Sequence, residues 1–197
     1  MDVFHDRALP PIVLASGSPR RRELLLGLGL SFDVSVADID ESARAGEAPE
    51  RLVARLSAGK VESVAADVPE ALVIGADTVV VMGGTILGKP RDESENREFL
   101  EVLSGGSHDV YTGHSLRLGG RGADRVACTR VTFRPLSPLE IDRYVTSGDG
   151  LDKAGGYGIQ GRGAALVSRI EGCYFNVVGM SVATVVELAG QLGVELV

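Results

Sequence analysis

Apolar residues fall into short continuous runs separated by stretches of helical spacing. Ile12-Val13-Leu14-Ala15 is one such run, and a polar turn divides it from Leu24, Leu25 and Leu28. This pattern predicts a buried strand over about 12–15 and a helix over about 18–28 with one apolar face. Phe32 to Val36 alternates as a strand does and leads into Asp38-Ile39-Asp40-Glu41. A helix is expected from about Pro49 to Ala66, with Val53, Leu56 and Val64 as apolar positions. Lys60 falls between Leu56 and Val64 on the same face. Ala71 to Ala76 is apolar, Asp77-Thr78 interrupts the run, and Val79 to Met82 resumes it. Gly83-Gly84 then reads as a hairpin turn into Thr85-Ile86-Leu87.

Further along, the pattern predicts a helix over about 92–103 and two long strands over about 108–118 and 125–134, joined at Gly119-Gly120-Arg121-Gly122. Ser137-Pro138-Leu139-Glu140 has the form of a capping box with proline at the first helical position, opening a helix to about Ser147. A glycine-rich stretch from Gly148 to Gly163, a strand over about 164–170 and a helix over about 181–192 complete the chain. Strands and helices alternate without repeat or linker. The expectation is one α/β domain over residues 1–197, a mixed twisted sheet flanked by helices.

Composition narrows the function. A chain of 197 residues, 44% hydrophobic and 24% charged, is ordinary for a globular domain with a substantial core. Its net charge of −7 weighs against a general nucleic-acid binder, so any basic cluster must be a local site. Cys128 and Cys173 lack metal or redox spacing and are expected to be free, buried thiols in a reducing cytoplasm. Met1 to Arg7 has no hydrophobic signal region, and no stretch approaches membrane-spanning length.

Three loops, at Ser16 to Arg22, at Asp77 with Lys89 beyond the hairpin, and at Asp152 to Gly161, carry polar residues that packing does not require. Lys60 adds a fourth such place on a helix. Ser16-Gly17-Ser18-Pro19-Arg20-Arg21-Arg22 opens the first helix, with Ser18 at the N-cap and Pro19 behind it. Arginine opposes the positive end of a helix dipole, so the cluster makes sense if an anion such as a phosphate chain sits above the turn. Lys60, on an inward face, needs an anionic partner or a path to water. Asp77 is either a strand-end turn residue or a carboxylate kept for a metal or for taking a proton from water. Lys89 sits in the glycine-flanked turn Leu87-Gly88-Lys89-Pro90-Arg91. The loop from Asp152 to Gly161 surrounds Lys153, Tyr157 and Gln160 with glycines, as a segment wrapping a flat ligand would, and Gln160 offers both a donor and an acceptor to a base edge. The Gly-x-Gly-x-x-Gly rule for dinucleotides is not met after a strand, which argues against a Rossmann cofactor, and the sequence contains no P-loop. These residues reach nucleotide phosphate chemistry with a metal, and leave hydrolysis and transfer both open.

The chain also resembles the Maf family of nucleotide pyrophosphatases. The resemblance rests on Leu14-Ala15-Ser16-Gly17-Ser18-Pro19-Arg20-Arg21, Gly75-Ala76-Asp77-Thr78-Val79-Val80, Leu87-Gly88-Lys89-Pro90, Tyr111-Thr112-Gly113, Leu151 through Gly161, and Ile170-Glu171-Gly172 through Gly179, in family order. It implies a cytoplasmic, metal-dependent, often dimeric enzyme with a two-lobed fold similar to that of inosine triphosphate pyrophosphatases. Such an enzyme would cleave the α–β phosphoanhydride of a nucleoside triphosphate. Asp77 would accept the proton of the attacking water. Ser16, Arg20 and Arg21 would hold phosphates, with Lys60 and Lys89 completing the cationic cradle. Glu41 and Asp77 would bind Mg²⁺ or Mn²⁺. Arg20, Thr78 and Gln160 match positions that tune base choice, and Asp-Thr with Gly-Ile-Gln-Gly looks like the dTTP/UTP branch. The alternatives are a pyrophosphatase for 7-methyl-GTP or another modified purine, and a non-catalytic nucleotide-binding regulator of septum formation and cell division. Gly106 stands where the family usually has arginine, which questions a phosphate role for its loop, while Gly156 replaces a usual alanine and Cys173 a usual acidic residue. Arg22 is expected at the surface.

Overall fold

In the computed structural model, residues 9–197 are described; the reading of Met1 to Arg7 lies outside them. Seven strands form one mixed sheet: β1 (Ile12–Leu14), β2 (Asp33–Val34), β3 (Leu72–Met82), β4 (Thr85–Leu87), β5 (Ser107–Leu118), β6 (Arg121–Phe133) and β7 (Val167–Glu171). Their order is β2-β1-β3-β5-β6-β7, with β4 hydrogen-bonded to β3 beside this path. β1 is parallel to β2 and β3; β3/β4, β3/β5, β5/β6 and β6/β7 are antiparallel. Six α-helices accompany the sheet: α1 (Pro19–Gly27), α2 (Pro49–Ala65), α3 (Glu93–Leu103), α4 (Pro138–Thr146), α5 (Tyr174–Val178) and α6 (Val182–Gln191).

The period-two alternation of β3 divides the molecule. Val73, Gly75, Asp77 and Val79 share the face covered by α2, whose Val61 and Val64 pack near Val73 and whose Leu52, Val53 and Leu56 pack near Val79. Leu72, Ile74 and Ala76 point the other way, into a cluster with Leu25 of α1 and Val185 and Leu188 of α6. Farther along that second face, Val80 joins a separate cluster with Leu100 and Leu103 of α3 and Ile141 and Tyr144 of α4. These clusters are the cores of two lobes. Between them the face turns polar at Thr78, paired with Thr112 of β5. Asn176 of α5 lies against this strip, and its amide donates to Val110 O at 3.0 Å and Thr129 Oγ1 at 3.1 Å.

Local signals explain several boundaries. Ser137 and Glu140 form the expected reciprocal capping box around Pro138, and Asp92 caps α3 by accepting from Glu95 N–H at 2.9 Å. Ser18 occupies the N-cap position of α1, but its side chain makes no capping hydrogen bond.

Other expectations need correction. Asp77-Thr78 does not end a strand, because β3 runs unbroken through it and pairs there with Gly113 and Thr112. The strand expected over Phe32 to Val36 shrinks to Asp33–Val34. The turn after β5 is only Gly119-Gly120, both at positive φ, so β6 starts at Arg121. Gly161–Ala165 is a 3₁₀ turn, and β7 begins after it at Val167. Cys128 is exposed and Cys173 half-buried, so neither thiol is in the core.

Candidate active site

Asp77 owes its surroundings to two glycines. Gly75 precedes it by two on the same face, and Gly113 stands opposite it on β5. A Cβ on Gly75 would meet Val61 Cγ2 at 2.4 Å, and one on Gly113 would meet the Val53 carbonyl oxygen at 2.2 Å. Their missing side chains let α2 settle onto the sheet. That approach carries Lys60 to Asp77: its Nζ lies 2.6 Å from Asp77 Oδ1 and 2.8 Å from Glu41 Oε1. Lys60 and Asp77 are each only 8% exposed, so this ion pair is poorly screened by water. The inward lysine has its anionic partner, and Asp77 is a buried mid-strand carboxylate whose one side-chain hydrogen bond is to an ammonium.

Arg21 is buried on the opposite face, in the polar strip between the lobes. Its Nε donates to Gly179 O at 2.8 Å, Nη1 to Ser16 Oγ at 3.1 Å and Nη2 to Thr78 Oγ1 at 3.2 Å. Burial lowers its pKa from the ordinary arginine value, partly offset by the charge of Asp77. The guanidinium thus ties α1 to β3 and to the segment after α5, and fixes Ser16 and Thr78. Ser16 Oγ also accepts from Ser18 N–H at 3.3 Å, which shapes the turn into α1.

The late loop supplies the facing wall. Arg20 Nη1 lies 2.9 Å from Asp152 Oδ2, and Lys153 Nζ lies 2.6 Å from Asp152 Oδ1 and 2.5 Å from Asp149 O. Burial acts to raise the Asp152 pKa, but hydrogen bonds from Lys153 and Arg20 bring it below the usual carboxylate value. Close backbone approach holds this loop in place. Gly156 has φ +71, and a Cβ there would meet Asn96 Nδ2 at 2.2 Å, while that same amide donates to Gly156 O at 2.7 Å. The position for which alanine is usual in the resembled family is therefore fitted to glycine here.

These groups line one cavity of about 750 Å³, which includes all nine residues singled out from sequence: Ser16, Arg20, Arg21, Glu41, Lys60, Asp77, Thr78, Lys89 and Gln160. Lys89 and Gln160 are exposed within it and make no side-chain hydrogen bond to another described residue. Apolar wall is provided by Val80, Ile86, Tyr157 and Ile159. Arg22 is exposed and outside the lining, as expected of a surface residue. Gly106 also lies outside it, so the loop with the missing arginine does not form the wall at that position. Sequence reading placed Lys153 in a ligand-wrapping loop but missed it and Asp152 as site residues. The ion pair of Asp152 with Arg20 crosses more than a hundred positions and leaves no local signal.

Among the described residues, no three His, Cys, Asp or Glu side chains are gathered to hold a metal. Glu41 and Asp77 do converge on one cation, the Lys60 ammonium. Two carboxylates suit Mg²⁺ or Mn²⁺ completed by substrate phosphates, rather than an ion held in an all-protein cage. No helix of the described residues is long and apolar enough to cross a membrane.

Comparison with known proteins identifies the family. The sequence matches the family described as Maf-like protein over residues 11–192. It is 50% identical over 186 residues to the dTTP/UTP pyrophosphatase of Deinococcus radiodurans, covering 94% of this chain and 95% of the relative. The dTTP/UTP pyrophosphatase of Moorella thermoacetica is 50% identical, with 94% and 96% covered, and that of Myxococcus xanthus is 51% identical, with 94% of each covered. A crystal structure of a Vibrio cholerae protein aligns over 71% of each chain, with a TM-score of 0.37 and 10% identity, too slight a likeness to bear on function. With a family match over nearly its whole length and relatives half identical to it, this chain belongs to the Maf family.

Proposed function

We propose that this protein is a nucleoside triphosphate pyrophosphatase that hydrolyses dTTP and UTP to the monophosphate and pyrophosphate. The observation that carries the reading is Asp77, a buried carboxylate set by Lys60 within a cavity otherwise rich in cations. A pure nucleotide binder needs no water-activating carboxylate, whereas hydrolysis needs a proton acceptor. The names of the relatives, each a dTTP/UTP pyrophosphatase, support the same substrates.

In this mechanism the phosphate chain lies over the N-terminus of α1. Free backbone N–H groups, Ser16 and Arg21 hold it there, because Ser18 leaves the helix end without a side-chain cap. Asp77 takes a proton from the water that attacks the α-phosphorus. Lys60 holds Asp77 in place through their 2.6 Å contact, and Lys89 stabilises charge developing on the departing pyrophosphate. Glu41 and Asp77 would hold Mg²⁺ or Mn²⁺ together with the substrate phosphates, and the metal would supply neutralisation of their charge. The resemblance supports a cytoplasmic enzyme able to form a homodimer, and the net charge of −7 weighs against nucleic acid as its ligand.

The test is pyrophosphate release from dTTP, UTP, CTP, GTP, ITP and 7-methyl-GTP, with Mg²⁺ or Mn²⁺. Release from dTTP and UTP above the others is expected. A purine preference would transfer the protein to the modified-purine class, and no release from any would favour a binding protein.

A further inference from the structure

The cavity holds two ion-pair clusters of opposite design. Lys60 and Asp77 are covered on both sides, at 11% side-chain exposure each, and serve the reacting end. In the other cluster, Asp152 stands between Arg20 and Lys153 with its side chain 60% exposed, while the two cations are 25% and 16% exposed. All three line the cavity. Neither the proton transfer nor the phosphate grip described above uses Asp152 or Lys153.

Asp152 is the wrong residue for a phosphate subsite, because its exposed carboxylate lines the cavity and would repel an anion. It is the right residue for a ligand that donates a proton between two acceptors. Arg20 and Lys153 each spend part of their donor capacity on Asp152 and keep further N–H groups; the carboxylate keeps further lone pairs. In space the order is donor, acceptor, donor: Arg20, Asp152, Lys153. Uracil and thymine present the complementary edge, acceptor, donor, acceptor, at O4, N3–H and O2. Cytosine offers a lone pair at N3 and an amino group at C4, so it meets the carboxylate with an acceptor and one cation with a donor.

We propose that Arg20, Asp152 and Lys153 together read the Watson–Crick edge of a uracil or thymine base, with Asp152 accepting from N3–H. Ala154, Tyr157 and Ile159 lie next to these residues in the cavity wall and supply apolar surface for the ring. The loop is fixed by glycine contacts: a Cβ on Gly158 would meet Lys153 Cε at 2.8 Å, and one on Gly163 would meet Gly158 O at 1.8 Å. The reader is therefore preorganised, which raises its power to discriminate. The inference rests on the dTTP/UTP reading and adds the residues that would make that choice.

The experiment compares kcat/KM for UTP, dTTP and CTP in the wild-type protein, Asp152→Asn and Lys153→Met, with tripolyphosphate as a competing inhibitor. Wild-type preference for UTP and dTTP over CTP is the starting condition. Its failure would strike the proposed function, not this site alone. Given that preference, Asp152→Asn turns an obligate acceptor into a group that can also donate to cytosine N3. The UTP-to-CTP ratio should fall about ten- to a hundred-fold, chiefly through KM. Lys153→Met should lower UTP and dTTP turnover and narrow the same ratio. An equal drop on all three nucleotides would mean a structural role and overturn the proposal. Tighter tripolyphosphate inhibition with an unchanged ratio would also overturn it, by making Asp152 a counter-ion of a phosphate subsite.

Discussion

Gly113→Ala tests whether the helix–sheet contact sets the active carboxylate. The added Cβ would stand 2.2 Å from the Val53 carbonyl oxygen and 2.8 Å from Ser57 Oγ. Ser57 can turn aside, but Val53 O is helix backbone, so α2 must retreat by about 1 Å to reach ordinary contact. Overpacking of this kind costs about 1–3 kcal/mol, or roughly 3–10 °C in melting temperature for a domain of this size. The same retreat draws Lys60 away from Asp77, whose contact is 2.6 Å. A displacement of about 1 Å at reacting groups can cost on the order of a hundred-fold in turnover. Thermal melts and dTTP hydrolysis should therefore fall together. Gly190→Ala is the matched control, since a Cβ there meets nothing within 4 Å and the residue lies inside α6. It should leave turnover unchanged and add up to about 1 kcal/mol of stability. A Gly113→Ala protein with wild-type melting temperature and turnover would mean that the α2–β5 contact does not position Asp77.

Three further outcomes follow from named contacts. Lys60→Met strands a buried carboxylate, and denaturant unfolding at neutral pH should report a loss of about 3–5 kcal/mol. Arg21→Lys cannot reproduce contacts to Gly179 O, Ser16 and Thr78 from one planar fork, so KM for dTTP should rise about ten-fold or more, with the fold retained by circular dichroism. His108 and His114 are 2% and 0% exposed, and burial pushes each pKa from 6.5 to about 4. The unfolded chain binds these protons first as pH falls, so their stabilisation is complete above about pH 6.5 and drains away between 6.5 and 4, by about 3 kcal/mol each. Urea midpoints measured from pH 7.5 to 4.5 should show this decline, and a flat profile would contradict it.

Much of the architecture was legible because it is local. The capping box at Ser137 to Glu140, the Gly83-Gly84 turn and the inward position of Lys60 all depend on residues within a few positions of one another. Asp77 was not, because two apolar runs around a polar pair look the same whether a strand stops or continues. What carries β3 through Asp77 is pairing with Thr112 and Gly113, some thirty-five residues away, a contact without local trace. Helix α5 has five residues, too few to display a helical period. The exposure of Cys128 was missed for a related reason: it depends on what packs over that position of β6, of which the local sequence carries no trace. At the site, nine residue choices converged on one cavity, yet their partners were hidden. Arg21 proved to be a buried strut as well as a cation, and Arg20 was found leaning on Asp152.

The proton acceptor proposed for the attacking water is Asp77. Its direct test is Asp77→Asn, a change that preserves shape and removes the acceptor, assayed for pyrophosphate release from dTTP beside nucleotide binding by calorimetry. Turnover should fall on the order of 10³-fold with binding retained. Near-normal release from a folded Asp77→Asn protein would contradict it.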